Sequence, residues 1–207
     1  MRSVLVLPLV ALAVHAAVIL DRIAVVVNSH PIKTSDIERD LRLTDFLNKE
    51  TLKFGSAEMK TAEERLIDQQ IIRGEIASGG YRRASDADAD ALLRQIRRDR
   101  YANSDVLLQR ALAQYGLTED RLRAQLLWQL TVLGFINQRF RAGAMVTDED
   151  VQKYYDQHRA ELRAPLQTVS ATIRTALEGE QVNQQFGMWL DSARKDAQIY
   201  YKPEAIQ

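Results

Sequence analysis

Residues 118–141 read TEDRLRAQLLWQLTVLGFINQRFR. Leu122, Leu126, Leu130, Leu133, Ile136 and Phe140 recur there at steps of 4, 4, 3, 3 and 4, the spacing of one face of an α-helix. Thr118 stands where an N-cap belongs, and Glu119 and Asp120 put negative charge in the first turn, where the helix dipole favours it. The stretch predicts the longest helix of the chain, with a single apolar stripe. It sets the fold class as mainly α.

Outward from this helix the same grammar repeats. Ser104 opens a helix that Gly116 ends, and Ser85-Asp86-Ala87-Asp88 caps another running to about Arg100. Thr61-Ala62-Glu63-Glu64 reads as a capping box for a helix to about Ser78, closed by Gly79-Gly80. Leu66, Ile67, Ile71, Ile72 and Ile76 cover a wide arc of it, and mid-helix Gly74 implies a close helix–helix approach. Ser35-Asp36-Ile37-Glu38 is a further capping box, opening a helix to about Phe54. On the C-terminal side, Thr147-Asp148-Glu149-Asp150 opens a helix carrying Val151, Tyr154, Tyr155 and Leu162. Pro165 breaks the pattern, and a last helix spans about Ala171 to Ala197.

Two short β-like runs flank the helices. Residues 21–28, DRIAVVVN, read as a strand ending in the turn Asn28-Ser29-His30-Pro31, and Gln198-Ile199-Tyr200-Tyr201 reads as another. A lone strand leaves backbone groups unpaired, so the two ends are expected to pair with each other. The predicted architecture is a single irregular domain of about six or seven helices, closed by a small two-stranded sheet.

Composition narrows function. The 207 residues carry 28 Lys plus Arg and 28 Asp plus Glu, so no net charge points to nucleic acid as a partner. Cysteine is absent, which removes disulfides, thiol catalysis and cysteine metal sites. The three histidines, His15, His30 and His158, are far apart and make no helical metal clamp. There is no GxxxxGK[ST] phosphate loop. No catalytic, metal or cofactor site is expected.

Residues 1–16 have the form of a secretory signal: Arg2, an apolar run from Val4 to Val14, and Val14-His15-Ala16 before the cut, with the mature domain at 17–207. A retained membrane anchor is the alternative reading. Cleavage implies export and no stable membrane insertion. Without Arg2 the balance is 27 basic against 28 acidic residues, net −1.

The order of pieces resembles the SurA-type periplasmic chaperones, relatives of the parvulin prolyl isomerases. Four places carry it: residues 21–28 with Ile32-Lys33-Thr34-Ser35-Asp36-Ile37; Glu64-Arg65-Leu66-Ile67-Asp68-Gln69-Gln70-Ile71-Ile72; the long helix leading into Val146-Thr147-Asp148-Glu149-Asp150-Val151-Gln152-Lys153-Tyr154-Tyr155; and Trp189-Leu190 through Arg194, Ala197, Ile199 and Tyr200. Together they cover nearly the whole mature chain. The resemblance implies a periplasmic, ATP-independent holding chaperone whose partners are unfolded outer-membrane or secreted polypeptides. It also exposes a departure. The family carries parvulin domains between the Tyr154–Leu162 helix and the C-terminal helix, and here only about Arg163 to Ser170 lies between them. The isomerase activity is therefore not expected to carry over. A structural, adaptor or homodimerising module is the second functional class.

Individual side chains divide accordingly. Asp86, Asp88 and Asp90, like Asp148, Glu149 and Asp150, sit at predicted helix N-termini and read as caps. Arg82, Arg83, Arg94, Arg97, Arg98 and Arg100 are interleaved with acids and read as a solvated face. His158 reads as a surface residue, and Trp128 and Trp189 as core. Phe54 and Met59 flank the connection between the first two helices, and Tyr81, Tyr101 and Tyr115 lie near helix ends. These five are the candidate client-binding residues, either lining a groove for unfolded chain or covering the edge of the core.

Overall fold

The computed structural model describes residues 21–202; the signal sequence read at 1–16 lies outside the described residues. The elements run β1 (Ile23–Val27), β2 (His30–Lys33), α1 (Thr34–Asn48), α2 (Ser56–Ser78), α3 (Asp86–Tyr101), α4 (Asp105–Gln114), α5 (Glu119–Phe140), a 3-10 turn (Arg141–Gly143), α6 (Asp148–Leu162), α7 (Leu166–Asp196) and β3 (Ile199–Tyr201). The fold is mainly α, with seven helices and one small antiparallel sheet among the described residues.

The two ends pair as the sequence predicts, through Val25↔Tyr201, Val26↔Tyr200 and Val27↔Ile199. Asn28 locks the closure: its backbone N–H donates to the Gln198 carbonyl at 2.9 Å, and its Oδ1 accepts from the Gln198 N–H at 2.8 Å. The sheet has three strands rather than the expected two, in the order β2-β1-β3. Asn28 and Ser29, at φ 46° and 71°, form a two-residue hairpin turn, and His30–Lys33 returns as β2. His30 and Pro31, read from the sequence as part of the turn, belong to β2, and as an edge strand it tolerates the missing proline N–H.

Several helix ends differ from expectation. Ser35 does not cap α1; it lies in the first turn, and its N–H and Oγ–H donate to the Asp21 carboxylate at 3.2 and 2.6 Å. This pairing holds the Asp21 carboxyl below its usual range. Asp36 instead accepts from the Lys33 N–H at 3.0 Å. α1 stops at Asn48, well before Phe54, because Lys49 turns left-handed (φ 61°) and the Glu50 N–H closes back on the Asp45 carbonyl. α2 starts at Ser56, so Thr61 is interior and its hydroxyl donates to the Ala57 carbonyl. α7 starts at Leu166, directly after Pro165, whose fixed φ suits a helix entrance. The Ser85, Ser104, Thr118 and Thr147 caps stand where the sequence puts them, each accepting from a first-turn N–H.

Packing is divided among four apolar clusters. One joins the sheet to α1 and α2 through Ala24, Val25, Val27, Ile37 and Ile67. A second joins α1, α3, α4 and the start of α5 through Phe46, Leu93, Leu108 and Leu122. A third joins α2, the end of α5 and α7 through Ile76, Phe135, Phe140 and Val182. A fourth lies within the α6–α7 hairpin, around Val151, Tyr155 and Ile173. α5 serves two of these, and that corrects the single stripe. Its buried residues are Leu122, Leu126, Thr131, Phe135 and Phe140, and Leu133 is 55% exposed. The buried face swings around the helix between Leu126 and Thr131 as its neighbours change. No described helix is long and apolar enough to cross a membrane.

Candidate functional site

α2 and α5 each contribute a run of side chains to an open groove of about 630 Å³. α2 supplies Gln70, Arg73, Gly74, Ile76 and Ala77, and α5 supplies Ala124, Leu127, Trp128 and Thr131. Arg83 reaches in from the α2–α3 connection and His30 from the end of the β1–β2 turn. The volume lies within the range of ordinary ligand pockets.

Two anchors fix the connection that carries Arg83. Thr131 Oγ1 accepts from the Ala84 N–H at 3.2 Å while donating to the Leu127 carbonyl at 2.8 Å, so a buried polar residue inside α5 holds the connection. Tyr81 packs edge-on against Phe135, with ring centroids 4.8 Å apart, and its hydroxyl accepts from Arg139 at 2.9 Å.

The lining of the groove carries two arginines and no carboxylate. Arg39, Arg65, Arg97, Arg123, Arg139, Arg174 and Arg194 all sit against carboxylates. Among the described residues neither Arg73 nor Arg83 has such a partner. The Arg73 guanidinium lies over the Trp128 ring, 3.8 Å from its centroid. Partial desolvation on that ring, then the like charge of Arg83, lowers its pKa from the usual arginine value. Gly74 does not mark a close helix contact, because a Cβ built there would meet nothing within 4 Å. It leaves the groove open where a side chain would narrow it.

The five candidate residues do not assemble into one cradle. Phe54, Tyr101 and Tyr115 gather around α1 and α4. Tyr101 stacks on Phe46 at 6.5 Å, Tyr115 meets it edge-on at 5.5 Å, and Arg42 lies 4.7 Å over the Phe54 ring while donating to the Tyr115 carbonyl. The Tyr115 hydroxyl donates to the Glu50 carbonyl at 2.9 Å. Met59 is buried, 8% exposed, in the cluster under the sheet, so a surface role for it is corrected. Tyr81 supports the groove from behind. Of the five, only Phe54 is well exposed, at 46%.

The sequence reading missed Trp128, Arg73 and Arg83 as a unit. Trp128 is only half-buried and forms part of the groove wall. A usable signal existed, since Trp128 lies off the Leu122–Leu126–Leu130 arc, but its partner Arg73 is on another helix. Asp88 and Asp150 complete caps with Ser85 and Thr147, which hold both carboxyls below their usual range. Asp86 and Asp90 pair with Arg123. Arg97 bridges Asp105 and Glu119. His158 stacks on Tyr154 at 4.1 Å, with Nδ1 2.9 Å from the Tyr154 carbonyl. Trp189 packs among Phe135, Phe140 and Phe186. No family model matches the sequence, and no curated protein matches it.

Proposed function

We propose that this protein is an ATP-independent holding chaperone for unfolded exported polypeptides, outer-membrane proteins among them, acting in the periplasm. The observation that carries the reading is the open groove between α2 and α5, which offers an indole face, aliphatic side chains and two guanidiniums without acidic partners. A site of this make-up takes extended chain reversibly, through a few apolar anchors, and lowers the unfolded pool available for aggregation. The resemblance of the order of pieces to SurA-type chaperones supports the same reading. No catalytic step is included: α6 and α7 are joined by residues 163–165 alone, which leaves no room between them for an isomerase domain.

The test is light scattering of an outer-membrane protein diluted from urea, with and without the purified chain and without ATP. Suppression at a tenfold or smaller excess is expected. Unchanged scattering at that excess refutes the reading. A docking or homodimerising role is the second reading, favoured by the exposure of Leu133, Met145 and Met188, at 55%, 78% and 59%. Sedimentation showing a stable dimer that buries these side chains would support it.

A further inference from the structure

We infer that the groove between α2 and α5 recognises acidic apolar peptide segments, extended stretches in which a glutamate or aspartate stands beside an aromatic or aliphatic residue. The inference rests on the holding reading of the same groove and names the client chemistry it selects.

Arg73 and Arg83 face one groove, the charge of Arg83 makes that of Arg73 more costly, and no carboxylate lines the groove to offset it. Some arginines elsewhere are neutralised, Arg65 by Asp40 and Arg123 by Asp90, whereas the lining of this groove contains no carboxylate at all. Two neighbouring cations without a counter-charge are where an incoming anion gains most. The Arg73 guanidinium uses its face on Trp128. Its N–H groups lie in its plane, and this geometry pairs bidentately with a carboxylate.

The groove's donors favour a carboxylate over a phosphorylated ligand. The lining residues of α2 and α5 lie inside their helices, where backbone N–H groups are already bonded within the helix. The groove therefore lacks the backbone cradle that phosphate sites draw from a helix N-terminus. Only side-chain donors remain, suited to one or two carboxylates. Ile76, Leu127 and the Trp128 ring stand beside those donors and favour an apolar neighbour of the acid. The space over Gly74 lets extended chain approach the α2 backbone.

The experiment uses a capped, dye-labelled peptide containing Ser-Glu-Phe-Leu-Glu-Ser, its Glu-to-Gln isostere, and a version with alanine for Phe and Leu. Anisotropy is read against the full chain, alongside tryptophan emission. The acidic apolar peptide should bind, and the Gln isostere should bind about tenfold more weakly, the size of one charge-assisted hydrogen bond. The alanine version should also be weaker. Arg73→Gln and Arg83→Gln should each shrink the Glu-to-Gln ratio towards one. Trp128→Phe should abolish the emission change. Equal binding of the Glu and Gln peptides overturns the inference, as does a ratio that survives both arginine variants. Preferential binding to anionic phospholipid vesicles, with peptide displaced, overturns it in favour of a membrane surface. Aggregation assays run in parallel keep the two claims apart. Suppression without Glu-over-Gln discrimination refutes the acidic selectivity and leaves the holding role. Discrimination without suppression sustains the recognition site and refutes the holding role.

Discussion

Replacing Gly74 with alanine should stabilise the protein and leave its fold unchanged. Gly74 sits inside α2 with no positive φ, and a Cβ there meets no heavy atom within 4 Å. Alanine therefore introduces no clash. It removes the conformational freedom that glycine gives the unfolded chain, and it improves helix propensity by about 0.8–1 kcal/mol. For a chain of this length, 1 kcal/mol corresponds to a rise in melting temperature of about 2–4 °C. Gly116→Ala is the matched control and should move the other way. Gly116 ends α4 at φ +64°, and a Cβ there would lie 3.0 Å from Nη1 of Arg42. A left-handed alanine costs about 1–2 kcal/mol before any displacement of Arg42. Thermal melts by circular dichroism, with urea titrations for free energies, decide it. If Gly74→Ala destabilises, α2 is packed closely against a neighbour at that point. The open groove, and every functional statement built on it, then falls.

Two further outcomes follow from buried and bridging polar groups. Glu63 is 4% exposed and has no hydrogen-bond partner among the described residues; burial, then the charge of Glu64, raises its pKa, with Lys60 opposing. A carboxyl with a raised folded pKa contributes stability below its unfolded value and loses it as pH rises through the folded value. Glu63→Gln should therefore stabilise the protein by about 1 kcal/mol near neutral pH, with the gain vanishing below the ordinary carboxylate range; urea titrations at several pH values check it, and a gain that persists in acid refutes it. Asn28→Ala should cost about 1–2 kcal/mol, because it removes the Oδ1 acceptor of the Gln198 N–H and places alanine at φ 46°. Asn28→Gly should cost less in the same titration, and equal losses would refute the backbone share of the argument.

Much of the fold was legible because its determinants are local. Ser85, Ser104, Thr118 and Thr147 mark helix starts by accepting hydrogen bonds from N–H groups three residues ahead. The pairing of the two ends followed from the need of any strand for a partner. Errors arose where a distant group replaced a local one. Ser35 has the sequence neighbours of a cap, yet Asp21, fourteen residues away, takes its hydrogen bonds. Met59 looks like an edge residue from its place near a helix connection, but it lies buried under the sheet; Tyr115, half-buried against Phe46, does cover the edge of the core.

By itself the sequence determined the mainly helical class, the starts of four helices, the joining of the chain ends, and the absence of thiol chemistry. Capping bonds, periodicity and composition operate within a few residues or need no geometry at all. Only the tertiary structure decided that α5 turns its buried face between two cores, that Gly74 opens a space rather than closing a contact, and that Arg73, Arg83 and Trp128 share one groove. Each of those depends on which helix lies beside which. That arrangement is a balance of burial summed over four clusters, and no single stretch of chain contains it.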